Sequence, residues 1–242
     1  MSNFRTRARA AYRILRWATP FAVLLGLALD ARGQQYDALG EKPESDAELP
    51  ATCGRLPNGY GPYDYRTVSQ DKKDLVEYAH FHTEYGAYLK GAYVVNLSNA
   101  VNAQVAAGFD YTLRAFPNHP RALKAMDDMA FRRKMEKLPS ANFVVQCYFL
   151  RAIVFRPNDA LVRALYGNFF ARRGKAAEAR EQLAMAVKLA PSDVNVRAQV
   201  ASTYTQLGDW NDAESNARAA YDLGYPLPGL RDKLKSLGHW SQ

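Results

Sequence analysis

Only two cysteines, Cys53 and Cys147, occur in the 242 residues. Neither belongs to a C-x-x-C or C-x-x-C-H run, which removes support for redox-catalytic and haem-attachment readings. Histidine is scarce as well, limited to His80, His82, His119 and His239. On a helix His80 and His82 point about 200° apart and cannot share a metal, whereas on a strand they could; no cysteine or third histidine adjoins them. They read as ordinary, partly buried histidines near Glu77 and Glu84. His119, in a Pro-bounded turn, is expected to make a local hydrogen bond, and His239 to be solvated. No G-x-S-x-G, Walker loop, G-x-G-x-x-G or H-E-x-x-H is present. The acidic pairs Asp127 with Asp128 and Glu178 with Glu181, scattered on helix surfaces, read as solvated faces or as partners for nearby Arg and Lys. The sequence thus motivates no catalytic residue, metal or cofactor, and the expectation is a non-enzymatic protein.

The formal net charge of +8 is unevenly spread: residues 1–33 hold six Lys and Arg against one acid, which leaves +3 for the rest. That balance gives no electrostatic footprint for nucleic acid. The first residues instead combine Arg5, Arg7, Arg9, Arg13 and Arg16 with an apolar run from Trp17 to Leu29. A basic region, a short apolar region and the small residues around Ala31 and Gly33 predict a signal peptide over 1–33, cleaved after Gly33, and a periplasmic location. An uncleaved membrane anchor is the alternative. No cysteine directly follows the apolar run, so lipid anchoring is not supported.

Residues 34–70 are rich in Gly, Pro, Asp and Tyr and lack apolar periodicity. The first part reads as a flexible linker. The second holds Tyr60, Tyr63 and Tyr65 and is too aromatic to be left in water, so it is expected to cross the helical domain as an extended strap. The alternative is an aromatic platform for a glycan or peptide. An exported chain with an even pair of cysteines predicts a Cys53–Cys147 bridge that ties the strap to a helix, with a buried Cys147 and a free Cys53 as the other possibility. Closing a loop of this length is worth about 4–5 kcal/mol at best.

Helical spacing begins near Lys72. Leu75, Tyr78, Ala79 and His82 fall at i, i+3, i+4 and i+7. Leu97, Val101, Val105 and Phe109 follow, and a helix starting at Pro120 or Arg121 carries Leu123, Met126 and Ala130. The region 71–125 reads as N-terminal helices. From Ala160 a register emerges in which Gly167, Phe170, Gly174, Ala179, Leu183 and Ala186 are answered 34 residues later by Ala201, Tyr204, Gly208, Ala213, Ala217 and Ala220. Looking back 34 residues, Phe149, Ala152 and Pro157 match, whereas Arg132, Arg133 and Glu136 fill packing positions of the first helix. The segment therefore reads as a divergent repeat.

This pattern resembles the tetratricopeptide repeat (TPR) family, and the phrases YTLRAFPNHPRAL and AYDLGYPLPGLRDKL resemble exported bacterial TPR proteins of unestablished activity. The resemblance implies an all-α, right-handed solenoid with repeats at 126–159, 160–193 and 194–225, closed by a capping helix and tail over 226–242. It also implies a concave groove lined by first helices. Leu161, Ala164, Asn168, Ala171 and Arg172 would face it from one repeat, and Asn195, Ala198, Gln199, Ser202 and Thr205 from the next. Asn168, Arg172, Asn195, Gln199 and Ser202 are the candidate contacts to a protein partner in the cell envelope, Arg172 offering itself to a carboxylate. The bland reading is that these are solvated polar positions. The leading expectation is a periplasmic scaffold or adaptor; the alternatives are a stoichiometric subunit of an envelope assembly and, further off, a glycan-binding module or enzyme near Tyr60, Tyr63 and His80.

Overall fold

The computed structural model describes residues 28–29, 35–36, 41–45, 47–57, 60–93 and 97–240. The expected signal peptide and its cleavage point lie outside these residues, apart from Ala28 and Leu29, which pair as β1 (Ala28–Leu29) with β2 (Gln35–Tyr36) in antiparallel register. The other regular structure among the described residues is helical: a 3-10 turn, Ala51–Cys53, and ten α-helices. No helix among them is long and apolar enough to cross a membrane.

Helices α1 (Gln70–His80), α2 (His82–Tyr93) and α3 (Asn99–Ala115) form the N-terminal group. Then come α4 (Pro120–Arg132) with α5 (Val145–Phe155), α6 (Ala160–Arg172) with α7 (Ala176–Leu189), α8 (Val194–Leu207) with α9 (Trp210–Asp222), and α10 (Gly229–Ser236). Each even-numbered helix from α2 to α8 packs on the next even-numbered one. Each odd-numbered helix from α3 to α9 packs on its own partner and on the first helix of the following pair. The apolar faces of α4 to α9 are thereby covered on both sides, and α10 closes α8 and α9 with Leu234 fully buried.

Small residues allow that closeness. A Cβ on Gly167 would lie 2.7 Å from Leu183 Cδ2 and 3.2 Å from the Ala179 carbonyl oxygen, so α6 and α7 approach at a distance that a side chain at 167 would prevent. Ala201 occupies the corresponding place opposite Ala213 and Ala217, all fully buried. Two arginines repeat one tie across each hairpin. Arg163 donates to the Pro157 carbonyl (3.2 Å) and Gln182 Oε1 (3.0 Å), and Arg197 to the Pro191 carbonyl (2.7 Å) and Asn216 Oδ1 (2.7 Å).

The expected boundary at 126 falls inside α4. The helix starts are capped by His119, Asp159 and Asp193, each accepting from an amide of its first turn. The first helices end before left-handed residues at Lys134 (φ 54°), Gly174 (φ 73°) and Gly208 (φ 78°). Both sets are spaced by 40 and then 34 residues, so the first copy carries six extra residues in its hairpin loop. Arg132, Arg133 and Glu136 therefore do not stand where Tyr166, Gly167 and Phe170 pack. Met126, Asp127 and Ala130 do, and all three are buried.

The first helical face is also turned from expectation. Leu75 and Tyr78 are 63% and 73% exposed, while Val76 and Glu77 are buried. Glu77 decides the orientation: it accepts from Tyr65 Oη (2.9 Å) and pairs with His119 (2.9 Å) inside the fold. His239, expected in water, stacks on Trp210 with ring centroids 4.1 Å apart.

Candidate functional site

One helical face carries the residues expected to bind. Asn195, Ala198, Gln199 and Ser202 of α8, Leu161 and Leu165 of α6, Arg121 and Lys124 of α4, and Tyr85 and Tyr225 line a cleft of about 350 Å³. It adjoins a second hollow of about 510 Å³ that shares Ala198, Ser202 and Tyr225 and continues to Lys233 of α10. The two make one open trough across four successive first helices. Asn195 and Ser202 are exposed within it, and no hydrogen bond engages either side chain among the described residues. Gln199 is half-buried, its amide 3.3 Å from Thr203 Oγ1. The trough has a basic flank. The Arg121 guanidinium lies 4.3 Å from the Tyr85 ring centroid, and Lys124 pairs with Asp128 at 2.6 Å.

Asn168 and Arg172 do not line this trough. Asn168 donates to Gln206 Oε1 (3.1 Å) and lies 3.4 Å from Thr203 Oγ1, joining α6 to α8. Arg172 is at the far end of α6, about 16 Å along the axis from Leu161. Its guanidinium pairs with Asp127 (3.2 Å) and Asp128. Burial pushes the Asp127 carboxyl up, against the pull of Arg173 and Arg172. Arg172 is thus committed to α4 rather than held out to a ligand carboxylate.

The strap crosses the starts of α4 and α6, away from Arg172, and its contacts are internal. Tyr63, 1% exposed, packs with Val76, Ala115 and Phe116, and its amide donates to the Ala115 carbonyl (2.9 Å). Tyr60 sits edge-on to it at 5.2 Å. The Tyr65 ring lies 4.0 Å from that of His119, and burial with a hydrogen bond to Glu77 pushes its phenol up to about 12. These tyrosines are spent on packing, with only Tyr60 and Tyr65 half-accessible.

A polar network locks the strap onto two helix starts. Arg66 grips Asp159 with two bonds (2.6 and 2.7 Å). Asn118 donates to Asp64 (2.8 Å) and Asp159 (3.0 Å) and accepts from the Tyr65 amide (3.0 Å). Arg156 meets Glu41, Glu44 (3.4 Å) and Asp64 (3.0 Å). Since His119 Nδ1 accepts from the Ala122 amide (3.1 Å), the ring proton is on Nε2 and is donated to Glu77. Burial holds this histidine below its ordinary value, so it is neutral.

Farther along, Cys53 and Cys147 form the expected disulfide. Arg151, fully buried in α5, donates to the carbonyls of Cys53 (3.1 Å) and Arg55 (2.6 Å). Burial brings its guanidinium down to about 10. Among the described residues no group of three His, Cys, Asp or Glu is placed to hold a metal. His80 stacks on Tyr111 at 3.9 Å, and His82 lies 3.7 Å from Glu77.

Comparison with models of protein families finds no match, and comparison with curated proteins finds none either. The trough must therefore be read from its own chemistry. Sequence reasoning missed its α4 flank, Arg121 and Lys124. A legible clue exists: Pro-Asn-His at 117–119, Pro-Asn-Asp at 157–159 and Pro-Ser-Asp at 191–193 open α4, α6 and α8. That spacing aligns Arg121 with Leu161 and Asn195.

Proposed function

We propose that this chain is a non-enzymatic binding scaffold, a TPR-like right-handed solenoid that holds an extended segment of a partner protein in its trough. One observation carries the reading: Asn195, Gln199 and Ser202 lie side by side in an open cleft, where amides and a hydroxyl suit the carbonyls and amides of an extended backbone. The alternation of helix pairs supports the solenoid, since α4, α6 and α8 line the trough and α5, α7 and α9 do not, with Tyr225 added from the turn after α9. The buried disulfide agrees with an oxidising compartment, and with the basic and apolar start of the chain it supports export to the periplasm by a cleaved signal peptide. The partner is then an envelope protein or an assembly component.

A permanent subunit of an envelope assembly is the second reading, favoured by the outward Leu75 and Tyr78 on α1. The two are separated by photo-cross-linking in the source cell, with the reactive side chain at position 202 in the trough or at position 78 on α1. The scaffold reading expects one protein captured from 202 and not from 78, and its loss in an Asn195→Ala, Gln199→Ala background. Capture of the same protein from both positions, or from neither, contradicts it.

A further inference from the structure

The twelve residues between α4 and α5, 133–144, do more than lengthen a turn. Together with the ends of α4 and α6 they enclose a cleft of about 600 Å³, at the opposite end of the helices from the strap. That volume lies within the range of ligand-binding sites. Lys134, Met135, Glu136 and Val144 come from the extended loop, Phe131 from α4, and Phe169, Arg172, Arg173 and Lys175 from α6 and its turn. Neither regular hairpin, α6 with α7 or α8 with α9, has such a loop.

The lining is both cationic and apolar. Phe131 is 40% exposed and Val144 36%, so both offer apolar surface to an occupant of the cleft. The Arg172 guanidinium lies 4.1 Å from the Phe131 ring centroid, and that of Arg173 lies 3.6 Å from the Phe169 ring centroid. Asp127 holds both arginines from below, at 3.2 and 2.7 Å, and so fixes them as walls. Lys134 and Lys175 are different. Both are exposed, and neither makes an ion pair among the described residues. Both stand on the rim, the Lys175 ammonium 5.8 Å from the Phe170 ring centroid; Glu136 is the one acid in the lining.

The lining decides which ligand suits. α4 and α6 end here, and Val144 with Gln146 brings in the first turn of α5, so helix ends of both polarities meet at the cleft. Free phosphate would meet the cations and that helix start but would leave the apolar surface of Phe131, Met135 and Val144 bare. Carboxylates carried on a peptide reach the rim lysines and at the same time seat a bulky apolar side chain over those three residues.

We propose that this cleft is a second binding site, taking an acidic peptide segment whose Asp or Glu side chains meet Lys134 and Lys175 and flank a large apolar residue seated on Phe131. It does not depend on the trough being a binding site. The test is selection from a displayed library of random dodecapeptides on the full chain. Enriched sequences are then measured as fluorescent synthetic peptides by anisotropy. A consensus of acidic residues around Phe, Trp, Leu or Met is expected. Its affinity should fall at least tenfold in Lys134→Glu, Lys175→Glu, also fall in Phe131→Ala, stay unchanged in Asn195→Ala, Gln199→Ala, and resist inorganic phosphate. The rim lysines are exposed, so the charge reversal leaves the fold intact by circular dichroism. A selection without such a consensus overturns the proposal. So does a consensus whose binding survives the charge reversal, or one that phosphate displaces or the trough variant abolishes.

Discussion

The strap-crossed edge and the trough lie on the same helices and treat polar groups in opposite ways. At the edge, Asp64, Asn118, His119, Asp159 and Glu77 answer one another within about one hydrogen-bond length, and a tyrosine is driven into the core beside them. In the trough, Asn195 and Ser202 face water with side chains that nothing in the described fold engages. Leaving any member of the buried network unmatched costs free energy, whereas a solvated amide costs none to leave and little to remove. The strap is therefore part of the fold, and the trough is surface that folding does not require.

Removing the bridge should break the comparison most severely. Cys53→Ser with Cys147→Ser frees a closure of 94 residues, worth up to about 4–5 kcal/mol in the unfolded chain. Urea unfolding of the paired variant should show a loss approaching that size. A loss below about 1 kcal/mol would mean that the strap stays docked without its covalent anchor.

Asp159→Ala comes next. It removes the cap of α6 and strands Arg66 and Asn118 together, for an expected cost of about 3 kcal/mol by the same measurement. A cost near that of an exposed ion pair, under about 1 kcal/mol, would place the network in effective contact with water.

Acid sharpens the contrast without mutation. Burial depresses His119 below 6.5, so the unfolded chain takes up its proton first, and stability is lost as pH falls below 6.5 toward the folded value. For Glu77, burial acts upward, but the hydrogen bonds from His119 and Tyr65 outweigh it. The carboxyl ends below 4.5, and its contribution disappears as pH falls through that lower value. Both act in the same direction, the histidine at higher pH. The thermal midpoint should fall on going from about pH 7 to about pH 5, and His119→Gln should flatten that fall. Equal slopes in the two proteins would contradict a neutral, strap-coupled His119.

How much of this was written locally explains what could be read. α6 to α9 were legible because Gly167, Ala179, Leu183 and their counterparts at Ala201, Ala213 and Ala217 act within one hairpin at a constant spacing. The disulfide was legible because two cysteines allow one pairing. The strap's path was not, since Arg66 and Asp159 are 93 residues apart, and complementary charges at that distance leave no pattern. Arg172 was misplaced for the same reason, its partners Asp127 and Asp128 lying 45 and 44 residues earlier. The α4 side of the trough was hidden by the six-residue lengthening of the loop after α4, which shifts Arg121 and Lys124 out of the 34-residue spacing although the Pro-Asn-His cap marks their true place.

The most direct test of a structural strap beside a free trough is thermal unfolding of Tyr63→Ala against Asn195→Ala, Gln199→Ala, Ser202→Ala. Emptying a fully buried aromatic site costs about 3–5 kcal/mol. In a chain of this size that corresponds to a fall in Tm of about 10 °C. The trough variant should stay within about 2 °C of the parent, as surface substitutions do. A trough variant that melts as early as Tyr63→Ala, or a Tyr63→Ala protein that melts with the parent, would contradict this division between fold and interface.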